Sequence, residues 1–373
     1  MKKIIKLNLL VLLTLFVLSC ASNTQEVTKT PTPPAPYTHT NKAPVPPSLP
    51  LASDTQVALA QKLPKQPLAP VRSVTKEKSK NIVSVQIKET KYPLTIMRTD
   101  NKEVQINESP SRIIAFDSAA VEMLYSIGAG DKIIGTHSFV NYPNDTKNIT
   151  KVGDAFNINM ETILTLDSDL FYIFFERYVS ELESNNLNVI YEKSLNDNIE
   201  NIPERILMWG KIVNKNNEAY EVASTFEKKY SNIKSFFTNY SEGPSIFYDT
   251  GSLWTPGHNT LVGKTLDLLK LQNVAKDVSG YEQFSKEVLI KKDPQIIITA
   301  DPDFFYKNKE FQNMTAVMNK RILSMKSDSL SIAGPRFIDG IEELIQIIYS
   351  PRFIKYIHDD KGAKENWFRL YNI

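Results

Sequence analysis

Arg112-Ile-Ile-Ala-Phe-Asp-Ser-Ala-Ala-Val-Glu-Met-Leu-Tyr-Ser-Ile-Gly-Ala-Gly-Asp-Lys-Ile-Ile-Gly135 is the stretch on which the fold turns. Arg112–Phe116 reads as a short apolar strand, Ala119–Ile127 as a helix that stops at Gly128, and Lys132–Gly135 as a second strand. The same alternation continues downstream. Met160–Leu166 and Val179–Asn186 read as helices, Asp169–Phe175 and Asn188–Tyr191 as strands. Upstream, Leu94–Arg98 and Glu103–Ile106 flank a turn at Asp100-Asn101 and predict a hairpin. Short apolar strands alternating with helices predict a parallel sheet covered on both faces.

From about Ile199 to Asn239 the pattern changes. Leu207, Trp209, Ile212, Val213, Ala219, Val222, Ala223, Phe226, Tyr230 and Ile233 recur at mostly three- and four-residue spacing. This predicts one long helix, with Gly210 and the Asn214–Asn217 cluster as places where it bends. Beyond Pro244 the alternation returns. Strands are expected at Ser245–Tyr248, Gln295–Thr299 and Arg321–Ser324, and helices at Leu261–Leu271, Ser285–Lys291, Phe311–Met318 and Pro335–Tyr349. The expected architecture is α/β: two parallel-sheet lobes (92–198 and 241–350) joined by one backbone helix (199–240), with a helical tail over 351–373. Two similar lobes bind a ligand in the cleft between them. A single helical connector allows only a small closure.

Composition narrows the function. Lys and Arg total 44 against 42 Asp and Glu, a net charge of +2, which gives no electrostatic case for nucleic acid. Cys20 is the only cysteine, so neither an internal disulfide nor a cysteine metal site is available. His39, His137, His258 and His358 are scattered and predict no resident metal and no metal cofactor. Gly257-His-Asn-Thr-Leu-Val-Gly263-Lys-Thr265 imitates a phosphate-binding loop, but five residues separate its glycines where four are needed. No G-x-S-x-G elbow is present, so no nucleophile is visible and no enzyme is expected.

The N-terminal segment reads as an address. Lys2, Lys3 and Lys6 precede an apolar run from Leu9 to Leu18, which ends Val17-Leu-Ser-Cys-Ala21. This resembles the lipobox of bacterial lipoproteins, with a signal peptide over 1–19 and an acylated Cys20. Several acyl chains make a durable anchor. Between 20 and 91 lie eleven of the 21 prolines, and no glycine occurs before Gly128. Proline without glycine makes a stiff tether, reaching on the order of 45 Å even as a random coil. Such a tether would hold a folded body away from a membrane, on its periplasmic or outer face.

Several segments, in order and spacing, carry a family resemblance. They are the opening stretch, Val152-Gly with Asn159-Met-Glu-Thr-Ile-Leu-Thr-Leu-Asp-Ser-Asp-Leu170, and Thr255-Pro-Gly-His-Asn-Thr with Gln272-Asn-Val-Ala275. Asp293-Pro-Gln-Ile-Ile-Ile298 and Gly334-Pro-Arg-Phe-Ile-Asp-Gly-Ile-Glu-Glu-Leu344 complete the set. The chain resembles the periplasmic binding proteins of ABC importers for vitamin B12 and ferric siderophores, the class with a helical backbone. The resemblance implies a monomer that carries a small metal chelate, cobalamin or a ferric siderophore, to permease subunits. It implies Phe139, Phe156 and Phe174 on one lobe and Trp254 and Tyr281 on the other as ligand-binding rings. Each ring could instead serve core packing. Trp254 stands out, because its polar, turn-rich loop gives it little core to lose. Arg177 and Arg336 could meet an anionic siderophore, with a structural role open for Arg336. Glu161 and Glu287 match the acidic residues that dock on the permease, and both also suit a helix N-terminus. Lys286 beside Glu287 would weaken that contact. His137 or His258 could ligate haem iron, but Val152-Gly-Asp-Ala lacks the tyrosine of haem-binding relatives. A haem binder, an exported enzyme on the same scaffold and an adhesive lipoprotein also stay open.

Overall fold

The computed structural model describes residues 88–349, apart from 155 and 194–197. Cys20, the signal segment, the tether up to 87 and the tail over 351–373 lie outside the described residues. The body begins earlier than residue 92. The Thr90 amide donates to Asn214 Oδ1 (2.8 Å), and Asn216 Nδ2 donates to the Lys88 carbonyl (3.0 Å).

Strands β1 (Leu94–Met97) and β2 (Glu103–Ile106) form the expected antiparallel hairpin. Asn101 takes a left-handed φ of 61° at its turn, which asparagine tolerates. Buried Arg98 ties the hairpin down through Asp100 and Glu183, each at 2.5 Å.

The first lobe then runs β3 (Ile113–Phe116), α1 (Ser118–Ser126), β4 (Ile133–Thr136), β5 (Thr150–Lys151), α2 (Met160–Thr165), β6 (Leu170–Ile173), α3 (Val179–Ser184) and β7 (Val189–Tyr191). Its sheet has the order β5-β4-β3-β6-β7 and is parallel throughout. Every residue of β3 and β6 is buried, as a sheet covered on both faces requires. Ile113 and Ala115 face the core that contains α1, while Ile114 and Phe116 pack with Ile163 and Leu182 on the opposite face.

The connector differs from the single helix expected over 199–240. It is two helices, α4 (Asn201–Ile212) and α5 (Asn216–Thr238). Lys215 N–H bonds back to the Gly210 carbonyl (2.7 Å), and Asn214 takes a left-handed φ of 55°, so α4 ends there and the chain turns. The two helices cross closely at Gly210. A Cβ built there would lie 2.3 Å from the Ala219 Cβ.

The second lobe comprises β8 (Ser245–Tyr248), β9 (Trp254–Pro256), α6 (Leu261–Leu268), β10 (Gln272–Asn273), β11 (Tyr281–Gln283), α7 (Lys286–Lys292), β12 (Ile296–Ile298), α8 (Pro302–Lys307), α9 (Thr315–Met318), β13 (Ile322–Leu323) and α10 (Phe337–Ile348). Its sheet, β10-β8-β12-β13, is also parallel. The helix expected over Phe311–Met318 shortens to α9, because Asp293 accepts the Thr315 amide and hydroxyl (2.7 Å each) and sets a new start. Helix α8, capped by Asp301, and the antiparallel β9–β11 pair are not visible in the sequence pattern.

One apolar core spans both lobes. It links Ile113 and Leu124 to Trp209, Phe226 and Phe237 of the connector, and onward to Ile246, Ile296 and Leu344. Alanine at a helix-interior glycine normally gains about 1 kcal/mol. At Gly210 the clash with Ala219 should reverse the sign, since overpacking costs about 1–3 kcal/mol. Gly210→Ala should therefore lower the thermal midpoint by a few degrees, and an equal or higher midpoint would show that the crossing is not tight.

Candidate ligand-binding site

Parallel strands bring the loops after their C-terminal ends to one edge of a sheet, where ligands bind. On the first lobe this edge is a row of rings. Phe174, just past β6, stacks on Phe116 (6.4 Å between centroids) and packs on Phe175 (4.2 Å). Phe175 meets Phe156 at 6.5 Å. Towards β4, Phe116 meets His137 edge-on at 5.4 Å, and His137 meets Phe139 at 6.4 Å. Phe139, Phe156 and Phe174 thus lie in one row, completed by Phe116, His137 and Phe175. Phe116 is wholly buried, so it supports the accessible rings from the core side and offers no surface to a ligand.

The row is held by polar groups behind it. His137 Nε2 lies 3.2 Å from the Ser118 hydroxyl. Burial, with Lys151 nearby, pushes the imidazole down to about 4, so it is neutral at physiological pH. The Asp154 carboxylate accepts the Phe156 and Asn157 amides (2.7 Å each) and shapes the turn that presents Phe156. Gly153 must be glycine there, because φ is 143° and a Cβ would sit 2.0 Å from the Asn157 carbonyl oxygen. Arg177 lies over the rings of Phe175 (5.0 Å) and Tyr178 (4.6 Å).

The second lobe's edge is built on a strained turn. Ser252 (φ 51°) and Leu253 (φ 65°) are left-handed without being glycine. Such residues cost on the order of 1–3 kcal/mol each and persist only where their surroundings hold them. Asp249 does so, accepting the Gly251 and Leu253 amides (2.9 and 3.0 Å) and the Thr299 hydroxyl (2.8 Å). Trp254 follows directly. It is not the loop ring with little core to lose that the sequence leads one to expect. It lies in β9, opposite Gln283 of β11, and is only 9% exposed. Its removal would therefore cost stability as well as contact. Tyr281, opposite Pro256, is 47% exposed.

Arg336 is already engaged. Its guanidinium pairs with Glu122 of α1 at 2.5 Å and with Asp328 at 3.1 Å, and the Tyr142 ring lies 3.6 Å away. The pair bridges the lobes. Burial pushes the Glu122 carboxyl up, and Arg336 pulls it back only part-way. Gly334 lies so close that a Cβ would come 2.7 Å from Glu122 Oε2. The sequence signal for this bridge is a glutamate set among the apolar residues of a helix.

Glu161 and Glu287 are both exposed on short helices, one in each lobe. Lys286 pairs with Glu310 (2.6 Å) and still acts electrostatically on the neighbouring Glu287 carboxylate. Ser285 holds the Glu287 carboxyl below the usual range. His258 Nδ1 lies 2.7 Å from the Val278 carbonyl oxygen. The glycines of the phosphate-loop look-alike serve packing: a Cβ on Gly257 would meet the Val278 carbonyl, and one on Gly263 the Gly257 carbonyl, each at 2.0 Å. Among the described residues no three His, Cys, Asp or Glu side chains converge on a metal position, and no helix is long and apolar enough to cross a membrane.

A family model described as periplasmic binding protein matches residues 113–329. The chain belongs to this family. It is 26% identical over 278 residues to the uncharacterized ABC transporter substrate-binding lipoprotein YvrC of Bacillus subtilis, across 70% of this chain and 87% of that protein. It is 26% identical over 251 residues to a vitamin B12-binding protein of Pectobacterium carotovorum, across 63% and 87%. The structure of the periplasmic vitamin B12-binding protein BtuF of Vibrio cholerae aligns with a TM-score of 0.57 at 22% identity, covering 64% of this chain and 97% of that one, a likeness of fold. The protein is an extracytoplasmic solute-binding protein of the kind that serves ABC transport, and not an enzyme.

Removing one partner of a buried ion pair strands the other charge, at a cost of about 3–5 kcal/mol. Arg336→Ala should destabilise the protein by roughly the lower figure, and Glu122→Gln/Arg336→Met should recover most of the loss in denaturant titrations. If Arg336→Ala were as stable as wild type, the bridge would be idle and the arginine would return as a ligand residue.

Proposed function

We propose that the protein is a monomeric, membrane-anchored lipoprotein that delivers a corrinoid to an ABC importer. The observation that carries this reading is the set of accessible rings on the first lobe, Phe139, Phe156, Phe174 and Phe175, backed by the buried Phe116 and His137. A corrin is a broad, partly apolar disc. Ring edges and faces grip such a disc with little loss of side-chain freedom. Trp254 and Tyr281 would close on it from the second lobe. Relatives named as vitamin B12-binding support the same ligand. Glu161 and Glu287 would dock the lobes on the permease, since exposed charges steer association and set register.

Titration with cyanocobalamin should quench the tryptophan fluorescence, and the coloured complex should co-elute in gel filtration. Phe174→Ala should weaken binding by roughly thirtyfold, the loss of one aromatic anchor. Failure of the wild type to bind cyanocobalamin would end the corrinoid reading. A second reading, a ferric siderophore, is favoured by Arg177, which is exposed and joins no ion pair among the described residues. Binding of a ferric hydroxamate or catecholate in place of cyanocobalamin would select it, and binding of haem would select the haem reading.

For the anchor, Cys20→Ser should move the processed protein from the membrane to the soluble exported fraction. An exported, processed mutant still bound to membranes would overturn the lipoprotein assignment.

A further inference from the structure

Two short helices, one in each lobe, present the same face. Helix α2 with its cap reads Asn159-Met-Glu-Thr-Ile-Leu-Thr165, and α7 with its cap reads Ser285-Lys-Glu-Val-Leu-Ile-Lys291. In each, the cap side chain accepts the amide three residues on, Thr162 at 3.0 Å and Val288 at 3.3 Å. A glutamate stands two places after the cap, followed by a β-branched residue. Next comes a wholly buried aliphatic, Ile163 or Leu289, each 0% exposed. The following aliphatic is exposed: Leu164 at 46% and Ile290 at 38%. Glu161 with Leu164 and Glu287 with Ile290 are three residues apart, so each pair shares one helix face.

Topology puts both faces at equivalent places. Helix α2 leads from β5 into parallel β6, and α7 leads into β12 of the other parallel sheet. A crossover helix runs back against its strands, so its N-terminus lies at the sheet's C-terminal edge. That is the edge that carries the rings in each lobe. A single exposed aliphatic means little, as Met97 at 54% and Met318 at 61% illustrate. The same slot filled alike in two otherwise different segments is a repeated feature. Neither glutamate joins an ion pair among the described residues.

We propose that Leu164 and Ile290 are twin docking knobs, each seated beside its glutamate in an apolar socket rimmed by a cation. The partner that fits is a pair of permease subunits related by twofold symmetry, because it must offer the same socket twice. Two exposed carboxylates that form no ion pair among the described residues call for cations on that partner. This rests on the docking role proposed for Glu161 and Glu287. The glutamates set encounter and register, and the knobs supply contact that salt does not screen.

The test uses the full-length protein and the cell's own permease–ATPase complex in nanodiscs, with binding measured by surface plasmon resonance at low and high NaCl. Leu164→Ser and Ile290→Ser should each weaken binding about fivefold with an unchanged salt dependence, and the double variant should lose the product of the two. Leu164→Met and Ile290→Met, which keep apolar contact, should bind within about twofold of wild type, as should the control Met97→Ser. Glu161→Lys and Glu287→Lys should slow association and flatten the salt dependence. If the serine variants bound as wild type while the lysine variants failed, the knobs would be refuted and the docking role would stand. If the lysine variants also bound as wild type, both would fall.

Discussion

The apolar core that runs unbroken from one lobe to the other is the constraint on which the rest depends. Ile113 and Leu124 of the first sheet and its helix, Trp209, Phe226 and Phe237 of the connector, and Ile246, Ile296 and Leu344 of the second lobe belong to one packed cluster. Protein interiors pack like crystals and do not deform continuously. Lobes that share a core cannot swing apart as two bodies on a hinge. The Glu122–Arg336 pair, covered by Tyr142, adds a polar strut across the same junction. Rigidity therefore comes from shared burial, and the crossing of α4 on α5 at Gly210 is what lets that burial become continuous.

A rigid frame changes how the site must work. Where the lobes move little, the edges of the sheets must already be shaped for the solute. Both edges are fixed by local hydrogen bonds. The row of rings past β4, β3 and β6 stands on buried, fully packed strands, and Asp154 fixes the turn beneath Phe156. On the other lobe Asp249 holds two consecutive left-handed residues just before Trp254. Local strain of this kind is sustained by the surrounding hydrogen bonds. It sits at the edge where a solute-binding protein of this family is expected to meet its cargo.

Polarity is sorted along the same lines. Charges buried at the junction, Glu122 and Arg336, are consumed by each other, whereas Glu161 and Glu287 point outward on capped helices. Arg177 remains at the rim, lying over Phe175 and Tyr178. The distinction between a cation that holds the fold and one that faces solute or solvent is a matter of partners, and in this chain it separates two arginines that composition treats alike.

The sequence by itself determined the α/β class, the parallel sheets and the order of the lobes. Apolar runs such as Arg112–Phe116 can be satisfied only between two covering layers, and helix stops such as Gly128 are local backbone chemistry. Of the first-lobe rings it placed Phe174 at a strand end, whereas Phe139 and Phe156 came from the family resemblance. Only the tertiary structure decided the β9–β11 pair, the burial of Trp254 and the use of Arg336. Each of these depends on residues far apart in the chain: Trp254 pairs with a strand some thirty residues on, and Arg336 meets a glutamate 214 positions away. Periodicity reports which face of an element is apolar. What that face, or a charge within it, will meet is fixed only when the lobes close around one core.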